Sequence, residues 1–267
     1  MKPPVDRIIF EIGPFAVHWY GLLIVTGIML GATVAAYLAK RDGENPDTIW
    51  DVLIVAVIFA VIGARIEYVV TQPHWGYYKN NLREALYLWQ GGLRIYGAII
   101  GGALGIAIFA WIRKKNPLRL TDYAAPGMAL GHAIGRWGNF INNELYGPPT
   151  TLPWGLDIPR SHRLPPYHNL NEYPPSTRFH PAFLYESLLD LLLCGLLVWA
   201  FLRLRDRLKT GDITLGYIIG YSIIRYFMDY LRTDMTSAQT LALVLIGLSL
   251  IALLVRHQPW RRAEAPA

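Results

Sequence analysis

Seven long apolar runs, separated by shorter polar stretches, set the pattern of the chain. They cover roughly Val17 to Ala39, Thr48 to Val70, Gly91 to Ile112, Thr121 to Asn142, Ala182 to Leu202, Asp212 to Leu231 and Ala238 to Val255. Each approaches the about 20 residues a helix needs to cross ~30 Å of hydrocarbon. The pattern therefore predicts an all-α integral membrane protein, with about seven transmembrane helices in one bundle. The first run opens on His18, Trp19 and Tyr20, an aromatic group suited to a membrane interface. The third contains G-A-I-I-G-G-A-L-G, where missing side chains let neighbouring helices approach closely. Two connecting stretches are longer than the rest. Residues 71–90, polar and aromatic, predict an interfacial amphipathic arm. Residues 148–180, proline-rich and polar, predict a small outward-facing cap. Too little polar chain is left for a separate soluble domain, so residues 1–267 are expected to form a single polytopic membrane domain.

Charge orients this pattern. Basic clusters at Lys40-Arg41, Arg113 to Arg119, Arg203 to Lys209 and Arg256 to Arg262 follow the first, third, fifth and seventh runs. Cytoplasmic loops carry such excesses, which places the N-terminus and the cap outside and the C-terminus inside. Arg160, Arg163 and Arg178 in the cap count mildly the other way. The net charge of +6 is thereby explained by topology, and nucleic acid is not an expected partner. The lone Cys194 sits in an apolar run, so no disulfide framework or thiolate metal site is expected. The N-terminus, with Asp6, Glu11 and several prolines but no basic region before an apolar core, does not read as a cleaved signal. No fixed-period repeat or inverted duplication is visible.

The polar exceptions inside the apolar runs carry the candidate chemistry. H-A-I-G-R-W-G-N-F-I-N-N-E-L-Y-G, from His132 to Gly147, puts an arginine into a spanning segment, at a cost of about 2.5–3.5 kcal/mol at a helix centre. Helical spacing would set Arg136, Asn139 and Asn143 on one face. At 1.5 Å per residue, Arg136 lies roughly 22 Å from the cytoplasmic start of its run, in the outer half of the bilayer. Arg65 and Arg225 come out at a similar depth, and His18, Tyr20 and Tyr96 begin their runs from the outer side. In the sixth run Tyr217, Tyr221, Arg225 and Asp229 are spaced by four and share a face. Arg225 and Asp229 can neutralise each other, whereas Arg136 has no carboxylate on its own face and only Glu144 where the helix ends. Such a layer is either a polar knot locking helices together or a site. A single depth beneath an outward cap favours the site. Two guanidinium groups among asparagines and tyrosines suit a lipid phosphate, whose oxygens match arginine's planar fork. The scattered histidines lack metal-ligand spacing, and no nucleotide loop or nucleophile elbow occurs.

G-R-W-G-N-F-I-N-N-E-L-Y-G, Gly135 to Gly147, resembles the signature of the bacterial prolipoprotein diacylglyceryl transferases. Further matches run along the chain: G-P-F-A-V-H-W-Y-G at Gly13, G-A-R-I-E-Y at Gly63, G-G-L-R-I-Y-G at Gly91, H-P-A-F-L-Y-E at His180 and Y-S-I-I-R-Y at Tyr221. The resemblance implies a multi-pass enzyme of the bacterial plasma (inner) membrane. It would move the diacylglyceryl group of phosphatidylglycerol to the lipobox cysteine thiol of a preprolipoprotein signal peptide, releasing glycerol phosphate, with no cofactor. The family's essential positions fall on Arg136, Asn139, Glu144, Gly147, Tyr20, Arg225 and Tyr221. With the polar layer read above, the expected catalytic residues are Arg136, Arg225, Tyr20, Asn139, Glu144 and Tyr96. Those expected to hold phosphatidylglycerol are Arg136, Arg225, Tyr221, Asn142, Gly147 and Arg65. Many members carry a histidine, proposed as a base, where this chain has Tyr96. The rival class is a lipid or anion transporter or scaffold, which would hold the anion without covalent change.

Overall fold

The computed structural model describes residues 1–257 apart from Val5, Pro14, Gln72, Trp89, Gln90 and 233–237. The last basic cluster beyond His257, and those three residues of the arm, lie outside the described residues. The chain opens on an antiparallel hairpin, β1 (Ile8–Ile12) and β2 (Phe15–His18), which leads into α1 (Trp19–Arg41). There follow α2 (Asp47–Val70), α3 (His74–Tyr78), α4 (Ile95–Ile112), α5 (Pro117–Asn142), the short strands β3 (Pro149–Thr150), β4 (Leu156–Asp157) and β5 (Arg178–Phe179), then α6 (Ala182–Arg203), α7 (Asp212–Leu231) and α8 (Ala238–His257).

The protein is thus mostly helical, with seven helices of eighteen residues or more among the described residues. Five are long and apolar enough to cross a membrane: Trp19–Arg41, Asp47–Val70, Ile95–Ile112, Ala182–Arg203 and Gln239–His257. α5 and α7 are not among them: each is long enough, but polar, glycine and charged residues, including Arg136 in α5 and Arg225 and Asp229 in α7, dilute its apolar ones. The run expected from Gly91 begins as helix only at Ile95, since Gly91 and Gly92 both have φ of +78°. The all-α membrane architecture is as expected; a short hairpin and two-residue strands in the cap are added to it.

Two units divide the chain, Met1–Val34 with Ala124–Ala267 and Ala35–Tyr123. In the first, α6 packs on α7 and α7 on α8. Its portion of α1 meets α5 at bare backbone: a Cβ at Gly31 would stand 2.6 Å from the Gly127 carbonyl oxygen, so only glycine permits this approach. The cap is a three-stranded sheet in the order β3-β5-β4, with Phe179 opposite both Pro149 and Leu156. Its strands close over Tyr146, Leu156, Ile158, Phe179 and Phe183. Arg163, counted above against the topology, is buried and donates to the Ile158, Tyr173, Pro174 and Pro175 carbonyls, so it fastens the cap. Tyr146 Oη accepts the Leu164 amide at 2.5 Å, and burial pushes this phenol above the ordinary tyrosine range.

In the second unit α2 packs on α4. A Cβ at Gly97 would stand 2.8 Å from Glu67 Cβ, which marks how close the two helices run. The arm contains two short helical turns, α3 and a 3-10 turn over Leu82–Leu86. At the other end of the unit Asp42 Oδ2 pairs with Arg119 Nε at 2.7 Å and accepts the Tyr123 hydroxyl at 2.5 Å.

Candidate active site

α5 ends inside the signature, and its manner of ending builds the site. Asn143 has φ of +58°; its amide donates to the Phe140 carbonyl at 3.1 Å and the Glu144 amide donates to Asn139 at 3.0 Å. These two bonds make a Schellman turn with asparagine in the left-handed position where glycine is commonest. Asn143 therefore leaves the helical face it was expected to share with Arg136, and its side-chain amide donates to the Ile141 carbonyl at 3.2 Å. The turn carries Glu144 back over the helix end. There its Oε1 accepts Asn139 Nδ2 at 2.9 Å and Asn142 Nδ2 at 3.2 Å.

Arg136 continues this chain, donating through Nη1 to Asn139 Oδ1 at a long 3.4 Å. Its main partner is Glu186 Oε1 on α6, 2.5 Å from Nη2, the two side chains being 16% and 2% exposed. Sequence reasoning looked for a carboxylate on α5 itself and missed Glu186. Ser187, the next residue, donates to the Ala133 carbonyl at 2.8 Å and ties α6 to α5 at this level. Arg136 Nε is buried and has no hydrogen-bond partner among the described residues. The guanidinium thus keeps its Nε–H without an acceptor among the described residues. One turn further along α6 lies Asp190, wholly buried, neither oxygen of which finds a donor among the described residues.

α7 supplies the second wall. Tyr217 and Tyr221 stack with ring centroids 5.9 Å apart, and His132 of α5 lies 4.5 Å from the Tyr221 ring. Tyr221 lies within electrostatic reach of Arg136, Glu186, Asp190 and Arg225. Arg225 pairs with Asp229 at 3.3 Å, so the two groups expected to neutralise each other do meet. Tyr20, in the first turn of α1, leans on Gly138, where any Cβ would strike its ring. Gly147 is pinned between His180 and α7: a Cβ there would stand 2.8 Å from both His180 Cβ and the Leu231 carbonyl oxygen. Its role in the structure is close packing at the cap's base.

Eight of the ten expected residues therefore belong to the first unit: Tyr20, Arg136, Asn139, Asn142, Glu144, Gly147, Tyr221 and Arg225. Arg65 and Tyr96 belong to the second. Tyr96 stands exposed in the first turn of α4. Arg65 is buried, with Nε donating to Ala85, Nη1 to Gly91 and Gly92, and Nη2 to Glu84 and the Tyr78 hydroxyl. Those five bonds use all five guanidinium protons, leaving none for a phosphate. The rings of Tyr68 and Tyr78 lie 5.5 and 5.3 Å from its charge. The two arginines contrast: one is saturated by the arm, the other keeps an Nε–H without an acceptor among the described residues.

An arrangement of this kind can hold an anion against one wall and steady the charge that grows on it. Residues 7–255 match the model of a family described as prolipoprotein diacylglyceryl transferase. A phosphatidylglycerol–prolipoprotein diacylglyceryl transferase of Synechococcus elongatus is 44% identical over 252 residues, 91% of this chain and 84% of that protein. Proteins of the same name are 43% identical in Finegoldia magna, over 86% of this chain and 85% of the relative, and 38% identical in Staphylococcus epidermidis, over 96% and 91%. With a family match across nearly its whole length and relatives this similar, the chain belongs to the prolipoprotein diacylglyceryl transferase family.

Proposed function

We propose that residues 1–267 act as one polytopic enzyme of the bacterial plasma membrane, transferring the diacylglyceryl group of phosphatidylglycerol to the lipobox cysteine thiol of a preprolipoprotein. The observation that carries this reading is Arg136, whose side chain is 16% exposed and whose Nε is buried. It is oriented by Glu186 and Asn139, and its Nε–H remains unused among the described residues. A lipid phosphate supplies acceptors in the matching fork geometry. The cysteine sulfur, as thiolate, attacks the glycerol carbon that bears the phosphate. The carbon–oxygen bond breaks, and glycerol phosphate departs with the negative charge. Arg136 and Arg225 stabilise that charge as it develops, Asn139 and Glu144 hold Arg136 in place, and Tyr20 and Tyr221 line the reacting end. Asn142 and Gly147 shape the outer edge. Tyr96 donates a hydrogen bond to lipid or thiol, and Arg65 holds the arm.

Seven helices span the membrane in this reading, with the N-terminus and cap outside and the C-terminus in the cytoplasm. Polarity along α5 and α7 is then the cost of lining the site, since charged groups inside a bilayer are tolerated where they face protein partners. The test is purified protein with phosphatidylglycerol and a lipobox peptide. A thioether-linked diacylglyceryl peptide with equimolar glycerol phosphate is expected. Lipid binding or movement without a covalent product would instead establish a transporter or scaffold.

A further inference from the structure

A cleft of about 670 Å³ opens beside the signature, where the N-terminal hairpin, the start of α1, the end of α5 and the cap converge. The volume falls within the roughly 300–1,000 Å³ common for ligand clefts. Six polar or aromatic side chains matter in it: Asp6, Arg7, His18, Tyr20, Asn142 and His162. Of these only Tyr20 and Asn142 belong to the residues assigned above.

Arg7 is exposed and lies across the junction of hairpin, helix and cap. Its Nη2 donates to the Asn142 carbonyl at 3.1 Å and also to His162 Nε2. That second bond places the imidazole proton on Nδ1, facing Ser161 Oγ at 3.1 Å. Arg7 Nε and Nη1 have no partner among the described residues. Next to it, Asp6 Oδ1 accepts the Ile8 amide at 2.9 Å, and no described group donates to Oδ2. A site for a bare anion would gain nothing from a carboxylate beside its guanidinium, because like charges repel. A ligand with a phosphate at one end and hydroxyls at the other uses both. Guanidinium protons take the phosphate oxygens, and the carboxylate accepts the hydroxyl protons. The polar chain Arg136, Asn139, Glu144, Asn142 runs by hydrogen bonds from the proposed reacting phosphate to this cleft.

We propose that the cleft binds a glycerophosphoryl group, with Arg7 on the phosphate and Asp6 on the glycerol hydroxyls. This rests on the transferase reading above, which releases the group as glycerol phosphate once the carbon–oxygen bond has broken and the phosphate is free to leave Arg136.

The first measurement does not depend on turnover. Calorimetric titration of the purified, detergent-solubilised protein with glycerol phosphate should give a Kd that rises at least tenfold in Arg7→Gln and falls back toward the parent value in Arg7→Lys. Asp6→Asn should remove the preference for glycerol phosphate over inorganic phosphate. The second measurement is the KM for phosphatidylglycerol in peptide lipidation. A weaker Kd for glycerol phosphate with unchanged KM is the expected result; a raised KM with unchanged Kd would place Arg7 on the intact lipid instead and overturn product binding. Size-exclusion profiles matched to the parent protein exclude misfolding, and Arg7→Lys serves should Arg7→Gln fail that check. If neither Kd nor KM moves in any variant, or if inorganic phosphate binds the parent protein as tightly as glycerol phosphate, the assignment is overturned. Binding that behaves as expected in a protein that lipidates nothing would instead remove the transferase reading.

Discussion

Replacing Glu186 and Arg136, singly and together, separates what holds the site from what the site does. The pair is 2.5 Å apart, with side chains 2% and 16% exposed, so neither charge has water to fall back on. Removing one member of a buried pair leaves an uncompensated charge and costs about 3–5 kcal/mol, whereas replacing both with apolar groups of similar size is often neutral. Glu186→Leu and Arg136→Met alone should therefore each lose about 3–5 kcal/mol. At about 2–4 °C per kcal/mol for a chain of this order of size, each should lower the midpoint of heat-induced loss of the monodisperse detergent-solubilised protein by roughly 6–20 °C. The double variant should recover to within a few degrees of the parent midpoint and yet lipidate no peptide, since nothing then grips the phosphate. Size-exclusion chromatography after stepped heating reads the first quantity, and thioether formation on a lipobox peptide the second. Additive losses in the double variant would show that the two residues do not interact energetically as their geometry requires. A double variant that still lipidates would remove Arg136 from the chemistry.

Tyr96→Phe should lower the lipidation rate by about tenfold to a hundredfold, some 1.4–2.7 kcal/mol at the barrier, without abolishing it. A phenylalanine variant as dead as Arg136→Ala at every pH would instead make Tyr96 the base. Arg65→Lys has at most three protons for five acceptors, so arm opening should rise about tenfold or more, read as faster tryptic cleavage after Lys79 or Arg83; an unchanged rate would separate Arg65 from arm stability. With Cys194 replaced by alanine, an impermeant thiol reagent on intact cells should label Thr150→Cys and spare Ala265→Cys, and the reverse pattern would invert the topology. Glu44 is held below the ordinary carboxylate range chiefly by its hydrogen bond from Lys115 at 2.7 Å. A depressed folded pKa stabilises above the unfolded pKa and is lost as pH falls through the folded one. Glu44→Gln should thus trail the parent protein at pH 7 by less than about 1 kcal/mol, given the pair's exposure, and the gap should close on acidification.

The helices were legible because burial in lipid forces long apolar runs, and all seven begin within four residues of where the runs begin. α5 shows why the signature mattered more than hydropathy: its apolar character is diluted by Arg119, Asp122 and Arg136, yet it is helical through Asn142. The cap sheet was not legible. Its strands are two residues long and pair Pro149 with Phe179, thirty positions apart by their numbers, which leaves no periodicity to read. The N-terminal hairpin escaped for a similar reason, its two strands being short, joined tightly and interrupted by a bulge between Ile8 and Phe10. Glu186 is a different case. It and Asp190 stand four apart in an otherwise apolar run, and the cost that singled out Arg136 applies to them equally. Only the partner of Glu186, Arg136 on another helix, was beyond reach of spacing arguments.

The direction of α5 has a consequence for how the proposed phosphate is held. Helices usually greet anions with their N-termini, where unpaired amides and the positive end of the macrodipole lie. Here the signature sits at the opposite end, where the field equals roughly half a negative charge and repels a phosphate. The Schellman turn absorbs two of the last carbonyls and Arg7 covers that of Asn142, which blunts this field without reversing it. All the attraction must then come from side chains. A cradle of backbone amides survives most point substitutions because every residue carries an amide; a binding site made against the dipole has no such reserve, and its lipid affinity should collapse with the loss of a single guanidinium.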